Sequence, residues 1–117
     1  METEEIEIKW NNLLLEVKEL IGKKILNINN LLFLIGVQEL GKGPQNFSKE
    51  QKQDLIHVAV CKILSADGYY KFEKLDEQGW PHYTLGKPIP FNDVLGQENF
   101  LKKYIIQYFE NEILIKK

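Results

Sequence analysis

The chain contains no arginine. Its 15 basic residues are all lysines, set against 17 acidic ones, for a formal net charge of -2. Arginine carries the planar fork that grips phosphates and guanine edges, whereas lysine offers a mobile point charge. That absence, with a slightly negative balance, argues against nucleic acid as the main partner. It argues less strongly against a dedicated phosphate-ester enzyme. Cys61 is the only cysteine, so no internal disulfide can form. One cysteine and two histidines are too few for the paired ligands of ordinary metal sites, and the expectation is no metal and no cofactor. The longest apolar run, Leu31 to Val37, is broken only by Gly36 and falls far short of the ~20 residues a membrane helix needs. METEEIEIKW begins acidic and lacks the basic segment and apolar stretch of a secretory signal. These exclusions predict a soluble, cytoplasmic protein with no membrane partner.

The 117 residues suffice for one core, since a chain of this size buries roughly two thirds of its unfolded surface. A hydrophobic fraction of 44% and a charged fraction of 27% argue against disorder. No internal repeat or low-complexity linker interrupts the chain, so residues 1–117 read as a single helical domain.

Periodicity predicts four helices. Ile6, Trp10, Leu13, Leu14, Val17, Leu20 and Ile21 fall at spacings of three and four, one apolar stripe from Glu5 to about Ile21. Glutamates crowd its first turn and complement the helix dipole. Asn27, Asn29 and Asn30 offer caps for a second helix, Leu31 to Leu40. Its LLFLIGV run is apolar on every side, which predicts a central position. Gly36 costs ~1 kcal/mol against alanine there, so it marks a candidate close approach of another helix. Ser48-Lys49-Glu50-Gln51 is a capping box for a third helix reaching about Ala66. Leu55, Ile56, Ala59, Val60, Ile63 and Leu64 form its expected buried face. A fourth helix runs from about Val94 to Glu112, with Phe100, Leu101, Tyr104, Ile105, Tyr108 and Phe109 inward.

Between the third and fourth helices the period changes to two. Tyr70, Phe72 and Lys74 alternate with Lys71, Glu73 and Leu75. Trp80, His82 and Thr84 alternate with Pro81, Tyr83 and Leu85. Asp76-Glu77-Gln78-Gly79 supplies a four-residue loop with glycine for a left-handed position. The reading is a β-hairpin over about 69–85. Pro81 donates nothing to a ladder, so its strand is an edge or carries a bulge. The fold expected is mainly α: four helices around a central apolar one, with the hairpin inserted between helices three and four.

Three constellations could carry function. The hairpin aromatics Tyr69, Tyr70, Trp80 and Tyr83, with His82, form a candidate interaction surface, because large amphipathic rings dominate protein interfaces. Alternation predicts Trp80 as the anchor on helix three, with Tyr83, or His82 if a bulge rotates it, lining the outer groove. Asp54, His57 and Cys61 lie on one stripe of helix three and make an alternative polar site with Glu39 and His82. The plainer reading of Cys61 is a small buried hydrophobe and of His57 a hydrogen-bonded side chain. Gln38 and Glu39 end the apolar helix; if buried they need partners, and Trp80 or His82 is a candidate. The Gly41 to Pro44 segment follows a helix instead of preceding one, so it reads as a turn and not as a phosphate loop.

LLFLIGVQELGKG at Leu31 to Gly43, KQDLIHVAVCKIL at Lys52 to Leu64 and GWPHY at Gly79 to Tyr83 resemble a group of small uncharacterised bacterial proteins. The resemblance implies no activity, cofactor or catalytic residue. The sequence reading is therefore a small non-enzymatic module that binds another protein or itself through the hairpin. The alternative is a small-ligand or metal-assisted site built from His57, Cys61, His82 and Glu39.

Overall fold

The computed structural model describes residues 3–22, 27–43, 45–90 and 94–113. The fold is mainly α, with a two-stranded antiparallel hairpin between the third and fourth helices. In chain order the elements are α1 (Thr3–Ile21), α2 (Ile28–Leu40), α3 (Lys49–Ser65), β1 (Tyr70–Leu75), β2 (Pro81–Leu85) and α4 (Val94–Tyr108). A π-helical turn, Phe109–Ile113, follows α4. The chain divides into two compact units, residues 1–28 with 91–117 and residues 29–90.

In the first unit α1 packs against α4. Ile6, Trp10, Leu13 and Val17 are buried, as the stripe predicts. Each such side chain contributes ~1.5–3 kcal/mol by leaving water. Leu20 and Ile21, expected on the same stripe, are exposed at the end of the helix. Among the described side chains of α4 the buried ones are Tyr104, Ile105 and Ile106, then Tyr108 and Phe109 where the backbone passes into the π turn. Phe100 and Leu101 are half-buried, not fully inward as the spacing suggested. Lys102 reaches Glu7 at 3.2 Å and Glu98 at 3.6 Å and lies 5.2 Å over the Trp10 ring.

The second unit holds α2, α3 and the hairpin. None of residues 31–37 on α2 is exposed, and Leu31, Leu32, Ile35 and Gly36 are buried. A methyl group on Gly36 would overlap the Leu55 carbonyl and stand 2.9 Å from the Leu55 Cβ. The glycine thus sets how closely α2 can cross α3. Phe47, just before α3, meets Phe33 of α2 edge-on at 6.0 Å. The capping box forms in full: Gln51 N–H donates to Ser48 Oγ at 3.1 Å, and Ser48 N–H donates to Gln51 Oε1 at 2.9 Å. Leu55, Ala59, Ile63 and Leu64 are buried, but Ile56 and Val60 are only half-buried, and Val58 and Cys61 are buried in addition.

The hairpin pairs Tyr70 with Leu85, Lys71 with Thr84, Phe72 with Tyr83, Lys74 with His82 and Leu75 with Pro81. Glu73 has no opposite residue, so the bulge lies in β1 and not at Pro81. The extra residue returns Leu75 to the side of Phe72 and sends Lys74 to the other side. One face is consequently Tyr70, Phe72, Leu75, Pro81, Tyr83 and Leu85, and the other is Lys71, Lys74, His82 and Thr84. Strict alternation had put Lys74 with Phe72 and Trp80 with His82. β2 begins at Pro81, so Trp80 belongs to the turn.

Candidate functional site

The turn is built around Asp76. Its backbone N–H donates to the Trp80 carbonyl at 2.9 Å, and its own carbonyl accepts from Gly79 N–H at 2.9 Å. Gly79 takes φ +86°, the left-handed conformation the sequence assigned to it. Asp76 Oδ1 accepts from the backbone N–H groups of Gln78 and Trp80, each at 2.9 Å. This local capture of the backbone is why aspartate opens such turns. Asp76 Oδ2 accepts from His82 Nε2 at 2.9 Å. The His82 bond, the Trp80 and Gln78 amides and the charge of His82 hold the Asp76 carboxyl below its ordinary range against the opposing effect of burial. Lys42 donates to the Gln78 carbonyl from outside the turn.

The turn and β2 stand against α3 across an open cleft of about 460 Å³. On the helix side Gln51, Asp54, His57, Val58 and Cys61 line it, at spacings of three and four. On the hairpin side it is lined by Asp76, Gln78, Trp80, Pro81, His82 and Tyr83. Val58, Cys61 and Pro81 are buried and make an apolar floor. Trp80 and Tyr83 are half-buried, while Asp54, His57 and His82 are exposed.

The two sets of candidates therefore meet. Trp80, His82 and Tyr83 from the interaction surface share one cleft with Asp54, His57 and Cys61 from the polar site. Tyr83 lines the cleft together with Pro81 and the α3 residues, which corrects the expectation that it lines the outer groove; it shares a strand face with Phe72, opposite which it pairs. Its ring meets Phe72 edge-on at 5.7 Å. Tyr70 is half-buried and edge-on to His57 at 6.4 Å. Tyr69 is half-buried beneath Lys87, whose ammonium lies 4.6 Å from the ring centre, and does not line the cleft. Glu39 does not line it either, yet its charge reaches Tyr83. Gln38 is exposed. His82 is bonded to Asp76 in place of either α2 residue.

Cys61 Sγ lies 3.5 Å from His57 Nε2, and burial pushes the thiol up to about 11. At neutral pH the thiol is therefore protonated and a poor nucleophile. Tyr83 is pushed up to about 12, first by burial, then by the charges of Glu39 and Cys61. Among the described residues no three histidine, cysteine, aspartate or glutamate side chains stand close enough to share a metal ion. The site residues that sequence reasoning missed are Gln51, Val58, Asp76, Gln78 and Pro81. Aspartate three residues before a glycine was a usable signal for Asp76. No family model, curated protein or solved structure matches the chain.

Proposed function

We propose that the protein is a non-enzymatic binding module whose partner is another protein docked on the hairpin and its cleft. The observation carrying this reading is the hairpin's apolar face. Pro81 and Tyr83 of that face line the cleft, and the same face continues to Phe72, Leu75 and Leu85, which are 56%, 60% and 64% exposed. Three large apolar residues left open beside a cleft are what a partner surface covers. Both strand edges are poor templates for an added strand. β1 carries Lys71, Lys74 and the Glu73 bulge, and β2 starts at Pro81. The face, and not an edge, is the docking surface. The protonated Cys61 thiol favours binding over covalent chemistry in the cleft. A metal-assisted version of the site finds no support, since its residues do not gather around a point.

The test is Leu75→Ser and Leu85→Ser, each measured by thermal melt and by capture of partners from the native host. Both side chains are exposed, so each change costs within about 0.5 kcal/mol of stability. The expected result is two folded variants that lose most of what wild type captures specifically. Folded variants with undiminished capture refute the reading.

A further inference from the structure

We infer that the group entering the α3–hairpin cleft is a cation on an apolar stem, an arginine or lysine side chain of the partner. This rests on the docking reading above and names what its cleft accepts.

The cleft is lined by two carboxylates and two histidines, one of which, His82, is already bonded to Asp76. The carboxylates are those of Asp54 and Asp76, and none of the described lysines lines the cleft. Cys61 and Tyr83 are neutral at pH 7 because both ionise far above it. The flanking lysines are turned to other work: Lys42 is held on the Gln78 carbonyl, and Lys74 pairs beside His82 on the polar face. An anionic group entering here would meet two carboxylates, with the Lys42 ammonium already engaged on the Gln78 carbonyl. A cation would meet complementary charge.

The two carboxylates differ in availability. Asp76 accepts two backbone N–H groups and His82, which uses its oxygens in the turn. Asp54 lies on an exposed turn of α3 and makes no hydrogen bond or ion pair among the described residues. Asp54 is therefore the carboxylate open to a ligand. Trp80 supplies the other half of the recognition. It is half-buried in the opposite wall, and indole is the best aromatic face for a cation. Val58, Cys61 and Pro81 give the apolar floor that the stem of arginine or lysine covers on its way to the carboxylate. A cleft of about 460 Å³ is within the usual range for ligand pockets and takes one long side chain with room for its neighbours.

The experiment titrates the full chain with four blocked peptides, identical but for one central residue: arginine, lysine, citrulline or glutamate. Backbone and indole N–H shifts are followed by NMR at Val58, Cys61 and Trp80. Free ethylguanidine is a fifth arm that separates the cation alone from a cation on a peptide. The expected result is that the arginine and lysine peptides bind about fivefold or more tighter than citrulline, that glutamate is weakest, and that Asp54→Asn removes the preference. A citrulline peptide that binds as well as arginine overturns the cation and leaves the docking cleft standing. A preference that survives in Asp54→Asn overturns the role of that residue and with it the inference. Failure of every probe to move Val58, Cys61 and Trp80 also overturns it, while the docking reading is decided separately by the leucine variants.

Discussion

Gly36 of α2 sits directly against the Leu55 carbonyl of α3, with no space for a side chain between them. The obstacle is main chain in the first half of a helix, not the flexible end of a side chain. It cannot move aside without moving α3, and α3 carries one wall of the cleft.

The first prediction follows from that contact. Gly36→Ala gains ~1 kcal/mol of helix propensity but drives a methyl into backbone. Overpacking of this kind costs roughly 1–3 kcal/mol and here outweighs the gain. A lower urea midpoint is expected. A midpoint equal to or above wild type would show that the helices do not cross so closely.

The second prediction concerns Cys61. Burial raises its thiol from an ordinary 9.0 to about 11. A raised thiol is protonated through neutral pH, so alkylation by iodoacetamide at pH 8 should run about a hundredfold slower than for free cysteine. The rate should keep rising to about pH 11 and become ordinary in urea. The sign for stability is the same. The folded state holds the proton more tightly than the unfolded chain, so stability is complete below pH 9.0 and declines as pH climbs towards 11. Fast labelling of the folded protein at pH 8 contradicts the burial.

The third prediction concerns the turn. Asp76 is lowered chiefly by its bond to His82. A carboxyl lowered in the folded state contributes stability that is whole above the ordinary range near pH 4 and is lost as pH falls through the folded value. Asp76→Asn keeps an oxygen for the backbone amides and loses the charge facing His82. The gap in stability between wild type and this variant should be widest at neutral pH and close in acid. A gap that stays constant from pH 7 to pH 2.5 would mean that the His82 contact contributes nothing.

Local chemistry is what the sequence settled by itself. Ser48 and Gln51 cap α3 because their reach depends only on residues three apart. Gly79 turns the hairpin because only glycine takes φ +86° without strain. The single cysteine excludes an internal disulfide before any fold is known. Even the close approach at Gly36 was legible, as a residue too costly for a helix unless something needed the space. What tertiary structure decided was side. The unpaired Glu73 moves Leu75 and Lys74 to opposite faces from those that alternation assigns, and the packing of the hairpin decides that Pro81 and Tyr83 line the cleft with α3. A period of two has no memory across an inserted residue, so a bulge is invisible until the partner strand is counted against it. The meeting of Asp54, His57 and Cys61 with Trp80, His82 and Tyr83 in one cleft is of the same kind. The two groups are separated in the chain by strand β1 and the turns on either side of it, and only the packing of the hairpin on α3 brings them face to face.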